Sequence, residues 1–211
     1  MVVLGAVPDP YGSAELRLRL TRSVLETILA QDLPLVVMTR SEHISRDVDL
    51  LWRLAQQGRV RVFIGLATLD LRLSKELEPG ASTPQQRLDA LNAMARAGLH
   101  AGVLLGPVIP GLNATEIETI LEAAAHSGAG YADYCLLQMR ENNRAAATQW
   151  LQAHCPQRSG MVLQMLRGAS VLDDMAAQVA ERFENACHRF LLEHVQAPLG
   201  CSEFSFPAQS H

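Results

Sequence analysis

The chain has 211 residues, of which 48% are hydrophobic and 19% are charged. This apolar content is enough for a sizeable buried core, and it excludes a disordered chain or a disulfide-stapled mini-protein. The formal charge of −4 argues against a general nucleic-acid binder, which would be basic. Lys75 is the only lysine, so a Schiff-base mechanism has a single candidate residue.

The cysteines are scattered along the chain, at positions 135, 155, 187 and 201. They form no C-x-x-C pair and no zinc-ribbon spacing, so the sequence predicts no metal site among them. The amino terminus has no signal-peptide pattern, and we therefore expect a cytoplasmic protein. The uncharged stretch 97–115 is interrupted repeatedly by glycine and proline, which predicts a strand with flanking loops and no membrane span.

Five short apolar segments predict the strands of a parallel α/β sheet, because such strands are buried on both faces. The segments are Val2–Val7, Leu35–Thr39, Val60–Leu66, Ala101–Val108 and Tyr131–Gln138. Amphipathic stretches between them predict helices. Five β-α units in series leave two architectures, a doubly wound open sheet or an arc of a (βα) barrel.

Polar and apolar patterns also locate helix starts and buried faces. Thr83-Pro84-Gln85-Gln86 and Asn113-Ala114-Thr115-Glu116 both read as capping boxes. Along residues 16–28, the apolar side chains recur with helical period, which predicts a face turned to the core. That face consists of Leu16, Leu20, Val24, Leu25 and Ile28.

The strand pattern stops after Gln138, and the remaining segments have helical period. We therefore predict a partial barrel over residues 1–142, a helical extension over 143–196 and a loose tail over 197–211.

Polar residues follow the strands, where ligands bind in either architecture. Asp9, Arg40, Asp70 and Arg140 are expected near one mouth, which would suit a zwitterionic or anionic ligand. Local roles explain single residues equally well, since Asp9 precedes a proline and Asp70 precedes a helix. No dinucleotide fingerprint, P-loop, nucleophile elbow or H-E-x-x-H motif is present.

A series of short motifs occurs in an order and spacing that carry a family resemblance. The motifs are Asp9-Pro10-Tyr11, Thr39-Arg40-Ser41, Thr68-Leu69-Asp70, Leu77-Glu78-Pro79, Arg87-Leu88-Asp89-Ala90 and Pro107-Val108-Ile109-Pro110-Gly111-Leu112-Asn113. Over residues 4–190 they resemble the C-terminal part of radical S-adenosylmethionine (SAM) enzymes, in the branch related to spore photoproduct lyase.

The resemblance implies a partial TIM barrel, a 4Fe–4S cluster and SAM as cofactor. In that family the loop after the first strand carries C-x-x-x-C-x-x-C, whose three thiolates hold the cluster. This sequence has no such triplet. Its five strands therefore resemble the second to sixth barrel strands, and the first barrel strand is missing. We do not expect the cluster to bind this chain alone.

The resemblance also implies cofactor-binding positions: Asp9, Tyr11, Arg40, Thr68, Leu104 and Gly106. Arg40 stands where the family usually has lysine, and arginine retains the charge that binds a carboxylate. Gly65 lacks the hydroxyl expected at its position. Gly102-x-Leu104-x-Gly106 is similar to the family's adenine-flanking strand, although tight packing in a parallel strand explains the pattern equally well.

Three hypotheses follow for function. In the first, the chain is a radical SAM protein that is N-terminally incomplete or degenerate and inactive alone, or that works beside a partner supplying the missing strand. In the second, it is a pseudoenzyme or interaction module that retains a nucleoside-like pocket. In the third, it is an acid–base lyase that uses Asp9, Asp70 and Glu42.

Overall fold

In a computed structural model, residues 1–5, 9–137, 141–165, 169–198 and 207 are described. They form a six-stranded parallel sheet in which every strand pairs with the next one in sequence. The strands are β1 (Val2–Leu4), β2 (Leu35–Thr39), β3 (Val60–Leu66), β4 (Gly102–Val108), β5 (Tyr131–Leu136) and β6 (Glu193–His194). The order never reverses, as it would in a doubly wound sheet, so the structure selects the barrel arc.

Helices connect the strands and continue after β5. They are α1 (Glu15–Leu18), α2 (Leu20–Ala30), α3 (Val48–Gln56), α4 (Leu71–Leu77), α5 (Pro84–Arg96), α6 (Ile117–His126), α7 (Glu141–His154), α8 (Pro156–Met165) and α9 (Ala169–Phe190). Two 3₁₀ turns, Glu42–Asp47 and Ala114–Glu116, lead into α3 and α6.

The main core lies between the outer face of the sheet and the helices. Successive strand residues point to opposite faces, so one alternate set meets the helices. Strand residues such as Val37, Ile64 and Val103 pack with helix residues such as Leu51 and Leu91, and all five side chains are fully buried. Burial on this scale stabilises the fold by about 1.5–3 kcal/mol for each large apolar side chain.

Helix α9 and strand β6 belong to the same packed unit. Phe183 of α9 lies in the main core, and Glu193 and His194 pair with the start of β5. The predicted helical extension over 143–196 therefore overlooks a strand, since α9 ends at Phe190 and β6 follows. A two-residue strand has no periodicity that a sequence reading can detect. The predicted domain boundary between residues 142 and 143 stays a prediction.

The strand predictions differ from the structure mainly at their ends. Strand β1 ends at Leu4, whereas the predicted segment runs to Val7, and residues 6–8 lie outside the described part. The prediction for β5 runs to Gln138, which also lies outside it. The other three predictions agree with the structure to within one residue.

One of the two predicted capping boxes forms. The Thr83 hydroxyl accepts from Gln86 N–H, while the Gln86 side chain accepts from Thr83 N–H. The capping prediction for Asn113 is wrong, because its side chain makes no cap hydrogen bond. Instead its amide accepts from Ile109 N–H and donates to the carbonyl oxygens of Ala67 and Pro107. Asn113 thus ties the end of β4 to the end of β3.

Only two of the five side chains in the apolar face predicted over residues 16–28 are buried. Leu25 and Ile28 reach the core, but the exposed fractions of Leu16 and Leu20 are 53% and 60%. Val24 is also exposed. In the part of the chain that the structure describes, β1 pairs only with β2, so its other edge offers free backbone groups.

A helix needs both length and apolar character to cross a lipid bilayer. Among the helices that the structure describes, none combines the two.

A second apolar cluster, which contains Met38, Phe63 and Tyr131, lies on the inner face of the sheet. We call this cluster the apolar floor. The Tyr131 ring lies where a Cβ on Gly102 would stand, 2.0 Å from that position, so only glycine fits at Gly102. The Tyr131 hydroxyl accepts from Val62 N–H and donates to Val62 C=O, each at 2.8 Å. Burial raises the pKa of Tyr131 to about 12, although the hydrogen bond from Val62 N–H opposes the shift.

We predict that Tyr131→Phe lowers the free energy of unfolding by about 1–3 kcal/mol, because two buried backbone groups lose their partner. Urea denaturation of both proteins measures the difference. Tyr134→Phe is the matched control, since no hydrogen bond to its hydroxyl exists among the described residues, and it should change stability by less than about 0.5 kcal/mol. Equal effects of the two substitutions would contradict this role of Tyr131.

Candidate functional site

Three residues form a row across the inner face of the sheet, one level above the apolar floor. Gly65 of β3 pairs with Leu104 of β4, and Leu104 pairs with Asp133 of β5. Paired residues of parallel strands point to the same face, so these three positions are neighbours facing the barrel interior. The row is apolar at its centre and acidic on one side.

Arg40 supplies the basic side of this interior. It follows β2, and its side chain runs over Gly65, where an added Cβ would stand 2.9 Å from Arg40 Cγ. The Arg40 side chain is 44% exposed. Its Nε lies 3.9 Å from Asp9 Oδ2, and its Nη1 lies 3.6 Å from Glu78 Oε1. The Arg40 cation therefore lies between two carboxylates at the rim, which is the edge of the sheet where the strands have their carboxyl ends.

Asp9 fastens the loop after β1 to the end of β2. Its Oδ1 accepts from the Thr39 hydroxyl at 2.6 Å and from Tyr11 N–H at 2.9 Å. Its Oδ2 accepts from Arg40 N–H at 2.7 Å. Three donors occupy this carboxylate, so its main role here is to position the backbone that carries Arg40.

The loop before α5 is attached to the same rim by Ser82. Ser82 N–H donates to the Arg40 carbonyl oxygen, and the Ser82 hydroxyl accepts from Glu42 N–H at 2.9 Å. The Glu42 carboxylate accepts in turn from the Gln86 side chain at 2.8 Å. Glu42 thus serves as a link between loop and helix.

Thr68 and Asp70 follow β3 and are also engaged locally. The Thr68 hydroxyl donates to Glu116 at 2.7 Å and accepts from Asp70 N–H at 3.0 Å, and the side chain is buried. Asp70 caps α4 by accepting from Leu73 N–H at 2.8 Å. The Thr68 hydroxyl therefore both donates and accepts a hydrogen bond within the chain.

Tyr11 lies in a buried cluster of charges. It is 1% exposed, with the Arg46 guanidinium 5.9 Å from its ring centroid. Burial raises the pKa of Tyr11 well above its usual value, and the nearby Asp47 carboxylate adds to the shift. The Asp47 side chain is fully buried and pairs with Arg22 at 2.9 Å and with Arg46 at 3.0 Å.

Of the six positions that the sequence assigned to the cofactor, the structure brings four toward the rim and inner face. These are Asp9, Arg40, Leu104 and Gly106, the last two on alternate, inward positions of β4. Tyr11 and Thr68 are instead buried in their own polar clusters. Contacts of all six residues with a cofactor stay predictions, and Arg140 lies outside the described residues.

Sequence reading missed several residues that shape the site. Glu78 and Arg87 appeared only within motifs, yet both are buried beneath Arg40. Asp133 was hidden inside a strand, and there its carboxylate accepts from Ala197 N–H at 2.7 Å and lies 3.1 Å from His194 Nε2. A single acidic residue in an otherwise apolar strand was the available signal for Asp133.

Comparison with known proteins identifies the family. The radical SAM superfamily is matched by residues 1–124. The chain belongs to the radical SAM superfamily. An uncharacterized protein of Mycobacterium bovis is 34% identical over 156 residues, which covers 72% of this chain and 46% of the relative. An uncharacterized protein of Acidianus two-tailed virus is 30% identical over 110 residues, or 52% of this chain and 35% of that protein. The radical SAM chain described here thus spans about half the length of the curated relatives that it matches, or less.

Solved structures of spore photoproduct lyase share the fold. A point mutant of that enzyme has a TM-score of 0.58 and 18% identity, over 83% of this chain and 54% of the other. A double mutant with bound AdoMet (SAM) and dinucleoside spore photoproduct has a TM-score of 0.56 at 18% identity, over 83% and 55%. This radical SAM chain is therefore built as a partial barrel of that type.

The residues present do not fit a 4Fe–4S cluster. Three thiolates are required, whereas no group of three His, Cys, Asp or Glu residues suited to a metal exists in the described ranges. Burial raises the pKa of the Cys187 thiol to about 12, which disfavours the thiolate that a metal needs. SAM fits better, since the inner face presents an apolar centre beside a half-exposed guanidinium.

We predict that Glu15→Gln destabilises the protein by about 1–3 kcal/mol at pH 7. Glu15 is buried, which raises its pKa, but hydrogen bonds from Thr21 N–H and Arg46 outweigh burial and lower the pKa. A lowered pKa stabilises the fold above the ordinary carboxyl pKa, and that contribution is lost as the pH falls through the folded-state value. The difference from wild type should therefore shrink below about pH 4.

Urea denaturation at pH 7 and at pH 3 measures this effect. Glu26→Gln is the control, because the Glu26 side chain is 57% exposed and its ion pair with Arg22 is long, at 3.6 Å. It should change stability little at either pH. A Glu15→Gln deficit that is the same at both values would exclude the ion pair as its cause.

Proposed function

We propose that this chain forms the SAM-binding part of a radical SAM protein. The observation that carries the proposal is the inner-face row of Gly65, Leu104 and Asp133 with Arg40 standing over Gly65. In this proposal Arg40 binds the carboxylate of SAM, while the glycines and Leu104 of β4 leave room for its adenine. The family supplies the expectation of SAM as the cofactor.

The chemistry of each end of SAM matches a different part of this surface. A guanidinium binds a carboxylate through two parallel N–H donors, which makes Arg40 the suitable partner for the methionine end. The apolar floor with Phe63 and Tyr131 excludes water below the row, which strengthens charge pairing at the rim. SAM would supply the sulfonium whose cleavage characterises the family.

We predict that the chain binds SAM and that Arg40→Gln weakens binding about tenfold or more, because a charged hydrogen-bonding partner is lost. Isothermal titration calorimetry measures both affinities. Arg19→Gln is a matched control, since Arg19 is an exposed arginine at the α1–α2 junction, away from the inner face. Loss of SAM binding in Arg19→Gln, or its retention in Arg40→Gln, would exclude this assignment.

We further propose that residues 1–211 alone do not hold the 4Fe–4S cluster and do not cleave SAM reductively. The four cysteines lie far apart in sequence, at 135, 155, 187 and 201, and none forms a C-x-x-x-C-x-x-C pattern. The ligands would then come from polypeptide outside these residues, in a cytoplasmic protein.

Anaerobic reconstitution with iron and sulfide tests this proposal. We expect fewer than three irons per chain and no absorbance of the four-iron type, because the sequence carries no C-x-x-x-C-x-x-C motif to supply three thiolates. Three or more irons per chain with that absorbance would show that this chain holds a cluster by itself. A reconstituted cluster-containing relative serves as the positive control.

A second candidate function is an interaction module without catalysis. The observation that favours it is the edge of β1 that pairs with no strand among the described residues, together with the exposed leucines of α1 and α2. Unpaired strand edges and exposed apolar patches are sites where another polypeptide packs. A partner that adds a strand beside β1 would cover both features.

We predict that the Leu16→Lys, Leu20→Lys double variant associates less than wild type, since charge disfavours packing of this face. Light scattering over a concentration series measures association. Leu71→Lys is the control, because Leu71 is also exposed, at 49%, but lies on α4. If wild type stays monomeric throughout, or if the Leu71 variant behaves like the double variant, this face is not a site of self-association.

A further inference from the structure

Beneath the rim lies an ion pair that the proposed SAM contacts do not use. Glu78 Oε2 is 2.7 Å from Arg87 Nη1, and each side chain is 1% exposed. Isolated buried charges are strongly disfavoured, so a pair at this depth needs further partners to be tolerated. The surroundings of the two side chains show what those partners are.

Arg87 is held by backbone carbonyl groups on two sides. Its Nε donates to Ser82 C=O at 2.7 Å, and its Nη1 donates to Gly65 C=O at 2.9 Å. Ser82 belongs to the loop that is bonded to Arg40, and Gly65 belongs to β3. The guanidinium of Arg87 is therefore fixed relative to both the Ser82 loop and strand β3, which flank Arg40.

Glu78 retains unused acceptor capacity. Neither carboxylate oxygen accepts a hydrogen bond within the described ranges, so the contact with Arg87 is electrostatic. The oxygen turned toward the rim, Oε1, faces Arg40 Nη1 at 3.6 Å. A buried acceptor without a donor is unfavourable, and Arg40 is the cation that can relieve it by a small movement.

We propose that Glu78, held by Arg87, is a positioning residue that orients Arg40 for the carboxylate of SAM. This inference rests on the proposed function. A long, half-exposed arginine loses rotamer freedom when it binds a ligand, and prior restraint reduces that loss. Asp9 restrains the Nε side of Arg40 and Glu78 restrains the Nη1 side.

The test compares SAM with 5′-methylthioadenosine, which has the same nucleoside but a neutral thioether in place of the sulfonium and no carboxylate. We expect Glu78→Gln to weaken SAM about tenfold and to change methylthioadenosine by less than about twofold, because only SAM uses Arg40. Calorimetry gives both affinities. A merely structural role of Glu78 would weaken both ligands alike.

Two further variants make the result specific. Glu76→Gln removes a carboxylate from the end of α4, two residues before Glu78, one that pairs with Arg72 at 3.0 Å, and it should leave both affinities unchanged. In an Arg40→Gln background, Glu78→Gln should have no additional effect on SAM, because the residue through which it acts is gone.

Folding of the variants is checked by thermal denaturation. If Glu78→Gln does not fold, Glu78→Asp keeps the charge beside Arg87 but withdraws the carboxylate from Arg40, and the same selective loss of SAM is expected. Equal loss of both ligands, or no loss of SAM, in a folded variant overturns the inference and leaves the proposed function intact. Failure of wild type to bind SAM overturns both.

Discussion

An unbroken parallel strand order is the constraint on which this molecule depends. Since each strand pairs with its successor, all carboxyl ends meet at one rim, and paired residues share a face. That geometry places Gly65, Leu104 and Asp133 side by side although 68 positions separate the first from the last in sequence. It also separates an outer core packed by helices from an inner floor below the rim.

The rim is organised by charge rather than by apolar packing. Asp9 positions the backbone on which Arg40 stands, and Glu78 with Arg87 lies directly beneath it. Buried ion pairs are weak contributors to stability, because desolvation offsets most of the attraction. Their value here is geometric, since each fixes a loop or a side chain at the place where the proposed ligand would bind.

Two positions at which the family resemblance implies other residues lie against each other. The resemblance implies lysine at Arg40 and a hydroxyl side chain at Gly65. A Cβ at Gly65 would stand 2.9 Å from Arg40 Cγ, which is too close for ordinary contact. The aliphatic stem of Arg40 is therefore accommodated here because the strand beneath it carries no side chain.

Periodicity and capping chemistry let the sequence by itself determine the β-α units, the Thr83 capping box and the Asp70 cap, because these depend on neighbouring residues. The family also followed from motif order. Only the tertiary structure decided that Asn113 ties strands together instead of capping, that Leu16 and Leu20 are exposed, and that β6 joins the sheet. It alone placed Glu78, Arg87 and Asp133 at the site. The reason is that these placements depend on contacts with residues distant in sequence, and a local sequence pattern does not show which of several possible partners a side chain meets.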